Sequence, residues 1–153
     1  MKYFTFDEFT RSTTAERLKI DNSIPNNAIK SNIEYLCQYL LDPLREAYGK
    51  PIYISSGYRC PELNRAVKGA SNSYHTTGLA ADIYVKGASN ITLVPIIVKI
   101  GRYDQIILEK GSINLPQWIH VGISRIKNRK QILYYNGKQY KTIKFMFEES
   151  GEE

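Results

Sequence analysis

Apolar residues in the first third of the chain recur every three or four positions. Ile29, Ile33, Leu36, Cys37, Leu40, Leu41 and Leu44 form one stripe, which predicts a helix from Asn26 or Asn27 to about Tyr48 with a single buried face. Either asparagine suits the N-cap. Pro43 falls inside the stripe and predicts a kink or interruption near Leu40, and Gly49 stops the helix. Upstream, Phe4 to Phe9 and Ala15 to Leu18 read as short helical pieces of an N-terminal arm. Thr5 and Glu8 have the spacing of a capping box, and the aromatic trio Phe4, Phe6 and Phe9 belongs in the core. Another helix is predicted from about Asn90 to Ile100. Its Pro95 lies near the first turn, where proline is tolerated, and Gly101 ends it.

Elsewhere the apolar runs are short. Ile52 to Ser55, Leu79 to Val85, Tyr103 to Glu109 and Trp118 to Ser124 read as strands, with a short helix at Glu62 to Val67 and a loop from Gly69 to Ser73. Lys130 to Tyr135 and Gln139 to Ile143 read as a hairpin joined at Asn136-Gly137, the strongest short signal for a type I′ turn. The acidic tail Glu148 to Glu153 is expected to fray. The pattern predicts an α+β fold, a small antiparallel sheet flanked by helices. One domain, 1–153, is expected, with an arm at 1–25, a motif-bearing core at 50–124 and a C-terminal hairpin at 125–145. There is no internal repeat and no linker.

At 153 residues, with 42% hydrophobic and 24% charged residues and twelve tyrosines, the chain is long enough to bury about two-thirds of its unfolded surface. Disordered and fibrous classes are excluded by this composition. No apolar run approaches the roughly 20 residues of a membrane span, and Met1 to Glu8 shows no secretory signal. Cys37 lies on the apolar stripe and reads as a small core residue, while Cys60 lies in a turn before Pro61. Two cysteines make no disulfide framework; a Cys37–Cys60 bridge stays open, with reduced thiols the default. The net charge is +6, with lysine and arginine dense from Arg125 to Lys144. That density fits a nucleic-acid patch, attraction to a polyanion such as bacterial wall material, or a solvated basic hairpin guarded against aggregation.

Candidate chemistry centres on Ser73 to Asp82. The only histidines are His75, seven residues before Asp82, and His120, inside a strand-like run. A histidine on an apolar strand is most often a satisfied core residue. Two imidazoles and a carboxylate on neighbouring rigid elements also match the donor set of a catalytic zinc with its fourth position open. Small residues Ser73, Gly78 and Ala80 surround the first two donors, where they let backbone pass close to an ion or substrate. Arg59 at a strand exit fits either a surface ion pair or the grip of a carboxylate through its planar fork.

Ser73-x-His75-x-x-Gly78-x-Ala80-x-Asp82 resembles the signature of the zinc D-Ala-D-Ala carboxypeptidase family, which includes phage L-Ala-D-Glu endopeptidase endolysins and shares the hedgehog-domain fold. Ser56-Gly57-Tyr58-Arg59 with Pro61 to Asn64, Tyr103-Asp104-Gln105-Ile106-Ile107, and Trp118-Ile119-His120-Val121 resemble its other segments, in order. The resemblance implies a hedgehog/DD-peptidase-like fold and Zn2+ held by His75, Asp82 and His120. It implies substrate contacts from Arg59 and Ser73, and peptidoglycan stem peptides as partners. A monomer is expected, and nucleic acid is not an expected partner. With no signal visible, synthesis in the cytoplasm and action at the wall after release, as for a phage or prophage product, is expected.

Several relatives carry an acidic residue three before the last histidine ligand, where this chain has Gln117. The candidates for a general base are then Glu109 and Asp104. If the strands of Glu109 and His120 pair through the loop 110–117, Glu109 opposes Trp118 and Ile107 opposes His120, so Glu109 shares the ligand's face. Glu109 is taken as the base and Asp104 as the group that orients a ligand imidazole. The alternative is a non-catalytic zinc-containing module that binds wall or peptide.

Overall fold

The computed structural model describes residues 1–143, so the acidic tail lies outside the described residues. Helices α1 (Phe6–Thr10) and α2 (Thr13–Leu18) form the N-terminal arm. Glu8 reaches back to accept the Thr5 N–H at 3.0 Å. Phe4 and Phe9 are buried in the core, with Phe6 packed against it.

The long amphipathic pattern resolves into α3 (Asn27–Leu36), a π-helical turn (Cys37–Leu41) and α4 (Asp42–Tyr48). Pro43 explains the wide turn. It has no N–H for the carbonyl four residues back, and the Asp42 N–H instead reaches the Cys37 carbonyl, five residues away. Asn26 caps α3 by accepting the Ile29 N–H at 2.9 Å. Two shorter helices follow, α5 (Pro61–Ala66) and α6 (Leu93–Ile100). Pro95 sits in the first turn of α6, where no intrahelical N–H is lost.

The strands are β1 (Tyr53–Ser56), β2 (Ala80–Tyr84), β3 (Gln105–Glu109), β4 (Trp118–Gly122), β5 (Gln131–Tyr135) and β6 (Tyr140–Thr142), in the sheet order β1-β2-β4-β3-β5-β6. The fold is α+β, as the pattern predicts. The sheet is not wholly antiparallel, because β3 and β5 run parallel. Both flank or follow β4 in opposite direction to it: after β4 the chain crosses the start of β3 through residues 123–130 and pairs on its far side. Asp104 anchors that crossing, donating its N–H to the Gly122 carbonyl at 2.7 Å and accepting the Gln131 N–H at 3.0 Å.

The hairpin turn also departs from expectation. Gly137 has φ 101° while Asn136 is not in the left-handed region, as a type I′ turn on Asn136-Gly137 requires. The Asn136 side chain instead accepts the Lys138 and Gln139 N–H groups, each at 2.8 Å, which moves the turn one residue on.

One sheet face, carrying Ala81, Ile83, Ile106, Leu108, Ile119, Val121 and Ile132, packs with the helices in the core. The other face is left for function. Cys37 is buried in that core and Cys60 begins α5, both as free thiols. No helix among the described residues is long and apolar enough to cross a membrane.

Candidate metal centre and active site

Strand register assembles the open face in rows. Asp82 on β2 opposes His120 on β4, which opposes Ile107 on β3. One row along, Trp118 on β4 opposes Glu109 on β3. Residues two apart on a strand share a face, so Glu109 stands on the face of Asp82 and His120. The register assumed from the sequence is the one present. Gln117 falls an odd number of residues from His120, is exposed, and uses its N–H to pair with the Glu109 carbonyl at 2.9 Å.

His75 comes from a 3-10 turn, Tyr74–Thr77, above this face. Ser73 begins that turn, its hydroxyl accepting the His75 N–H at 3.3 Å. Gly78 ends it at φ +83°, with Ile33 and the Ile29 carbonyl close enough to crowd any side chain there. His75 Nδ1 lies 2.7 Å from the Gly57 carbonyl. A carbonyl only accepts, so Nδ1 carries the proton and Nε2 turns a lone pair into the site. Burial lowers the His75 pKa against the opposing pull of Asp82.

Nε2 of His75 lies 3.2 Å from Asp82 Oδ1 and 3.2 Å from His120 Nδ1, and His120 Nδ1 lies 3.1 Å from the same oxygen. The three donors thus form a nearly equilateral triangle. A tetrahedral zinc with ordinary nitrogen and oxygen bond lengths needs ligand atoms about 3.3 Å apart. Edge lengths, donor chemistry and the fixed tautomer of His75 all fit that ion. Burial works to raise the Asp82 pKa, but the His75 imidazole beside it and a hydrogen bond from His120 outweigh it and hold the carboxylate ionised.

Arg59 lies beside this triangle. Its Nη2 is 3.8 Å from Asp82 Oδ2, while Nε donates to Ser56 Oγ at 3.3 Å and Nη1 to Asn64 Oδ1 at 3.0 Å. The side chain is therefore aimed from behind before any ligand arrives. Burial of Glu109, reinforced by the charge of Asp82, raises its pKa to about 7, with His120, Lys110 and Arg59 pulling the other way. A carboxylate tuned to neutrality can both take and return a proton. All these groups border one cleft of about 730 Å³, together with Ser73, Trp118, Arg129, Tyr135 and Tyr140.

Asp104 is not with them. Its carboxylate accepts from Arg129 Nη2 at 2.7 Å, from Arg129 Nε and from the Arg129 backbone N–H at 2.8 Å. No imidazole contacts it among its hydrogen bonds. Its place at the β3 crossing explains why it serves as an anchor for that turn and not as an orienter of a ligand histidine. Sequence reasoning missed Asn64, the Gly57 carbonyl, Arg129 and the tyrosines. Only Gly57 and Asn64 had a signal, standing inside the segment around Arg59.

Gly57 also ties the site to the arm. A Cβ on Gly57 would lie 2.7 Å from the Phe9 Cα, so only glycine lets the arm pack there. Asn22 donates to the Tyr58 carbonyl at 2.9 Å and accepts the Cys60 N–H at 2.7 Å, bracketing Arg59.

A family model described as Peptidase M15 matches residues 2–122. The matched stretch holds the three metal-ligand candidates, Arg59 and Glu109, and stops before Arg129. No curated protein matches the chain. With the match running over most of its length and the donor triangle falling inside it, the chain belongs to the peptidase M15 family, whose members are zinc-dependent.

Proposed function

We propose that the protein is a zinc peptidase that hydrolyses peptidoglycan stem peptides at the bacterial wall, as a D-Ala-D-Ala carboxypeptidase or an endolysin-type endopeptidase. The observation that carries this reading is the donor triangle of His75, Asp82 and His120 with a near-neutral carboxylate, Glu109, one row away on the same sheet face. Zinc held there supplies Lewis acidity, lowering the pKa of water and polarising a scissile carbonyl. The chain's own groups do the rest. Glu109 takes a proton from the attacking water and gives it to the leaving amine. Arg59, held by Ser56 and Asn64, presents its free edge to a substrate carboxylate, which selects peptides that end in or carry one. Ser73 shapes the turn beneath His75 and offers the cleft a polar wall.

Gln117 motivates the alternative of a non-catalytic zinc-bearing module, since it cannot act as a base. Digestion of purified muropeptides separates the two. Zinc-loaded protein is expected to release D-Ala or a cut stem, and chelation or Glu109→Gln is expected to stop it. Binding to wall without turnover would leave the module, and full activity after metal removal would end the peptidase reading. The identity of the released fragment decides between carboxypeptidase and endopeptidase action.

A further inference from the structure

The row that carries Glu109 does not stop at β3. Glu109 pairs with Tyr135 on β5, and Tyr135 with Tyr140 on β6. Trp118, Glu109, Tyr135 and Tyr140 therefore stand side by side across four strands, all bordering the cleft. At ordinary strand spacing Tyr140 is about 10 Å from Glu109. The Tyr135 and Tyr140 rings have centroids 4.5 Å apart and planes tilted by 32°, and Tyr140 is 60% exposed. Both tyrosines lie beyond residue 122, where the family match ends. This wall of the cleft thus belongs to the part of the chain that the family model does not describe.

We propose that Tyr135 and Tyr140 form a subsite for a pyranose ring of the glycan to which the stem peptide is attached. This rests on the peptidase reading for its substrate, and on the row for its chemistry. Tyrosine has an apolar face and a polar tip, and a pyranose has a flat C–H face with a rim of hydroxyls, so the two are complementary. A substrate carboxylate has Arg59 on the opposite side of the metal triangle. An aliphatic side chain would call for a closed apolar pocket, whereas this platform is open and edged with hydroxyls. The platform also continues the cleft away from Arg59, the direction in which the N-terminal, sugar-bearing end of a carboxylate-anchored peptide runs.

The test is a titration of chelator-treated protein with a disaccharide of N-acetylglucosamine and N-acetylmuramic acid, read by NMR. Shifts are expected on β5 and β6, with affinity roughly tenfold weaker in Tyr140→Ala, about 1.4 kcal/mol, and retained in Tyr140→Phe. Tyr135→Ala, in case Tyr140→Ala loosens the hairpin, is expected to weaken binding likewise while its amide spectrum stays dispersed. In zinc-loaded protein, the advantage in KM of a sugar-bearing over a sugar-free peptide is expected to fall towards one in Tyr140→Ala. No disaccharide binding at millimolar concentration, shifts confined to the loop 67–72, or equal affinity in parent and Tyr140→Ala overturns the subsite. The titration needs no turnover, so a protein that binds the disaccharide but cuts nothing fails as a peptidase and not as a sugar binder.

Discussion

Arg59 and Asp82 approach to 3.8 Å at the edge of the donor triangle, so a carboxylate held by the guanidinium, as proposed, would lie next to the three candidate ligands. The fork is aimed by Ser56 and Asn64, so geometry and charge both count. Arg59→Lys keeps the charge and loses the fork, and is expected to raise KM for carboxylate-bearing peptides by about tenfold or more. A Cβ on Gly69 would overlap the Asn64 amide oxygen and come within 2.7 Å of Arg59 Nη1. Gly69→Ala is expected to raise KM in the same direction while zinc stoichiometry, measured by metal analysis, stays at one.

The triangle predicts a stability signature as well as an activity one. A ligand present at about a hundred times its Kd stabilises by about 2.7 kcal/mol. For a domain of this size, that raises the Tm by about 5–10 °C. Calorimetry is expected to show this rise on adding zinc to the parent protein and to lose it in His120→Ala and Asp82→Asn.

Glu109→Gln removes the proton acceptor and is expected to lower kcat by about two to four orders of magnitude. In the metal-free parent, the carboxyl is held up to about 7; zinc bound beside it favours the ionised form, so the acidic limb of kcat is expected below that value. An acidic limb that survives unchanged in Glu109→Gln would assign the limb elsewhere.

The same shift has a cost in the metal-free protein. The folded pKa of about 7 lies above the ordinary 4.5, so between these values the folded state holds a proton that the unfolded state has lost. Stability therefore falls as pH rises through that window. Glu109 is partly open to solvent, which reduces the effect. Relative to the parent, Glu109→Gln is expected to gain on the order of 1 kcal/mol on going from about pH 5 to pH 8, read from urea unfolding in chelator.

Asp104 is 1% exposed and its carboxylate is answered by Arg129. Arg129→Ala removes the guanidinium and leaves the backbone N–H at that position and Tyr74 as donors, and is expected to destabilise by about 1–3 kcal/mol. Asp104→Asn in the same chain should recover part of the loss, because a neutral amide is less costly to bury unpaired.

Much of this was legible from spacing. The stripe on α3 and α4, the disruption by Pro43 and the convergence of His75, Asp82 and His120 follow from periodicity, from proline chemistry and from the resemblance of the motif. The pairing of Glu109 with Trp118 was an assumption about the loop between their strands, and the register present matches it. What spacing could not reveal is partnership between distant elements. Nothing local to Asp104 announces Arg129, and nothing in the hairpin announces that β5 skips past β4 to lie parallel to β3. That skip carries Tyr135 and Tyr140 into line with Glu109, so the aromatic row was invisible until the strand order was known. The turn at Asn136 was misplaced because an asparagine side chain can replace the backbone acceptor that the dipeptide rule assumes.

Gly57 faces two ways, its carbonyl gripping the ring of His75 and its Cα lying against Phe9. The opening segment, which contributes no atom to the chemistry, is therefore a foundation for it. Trimming that segment would strip Phe4 and Phe9 from the interior and loosen the grip on one imidazole together.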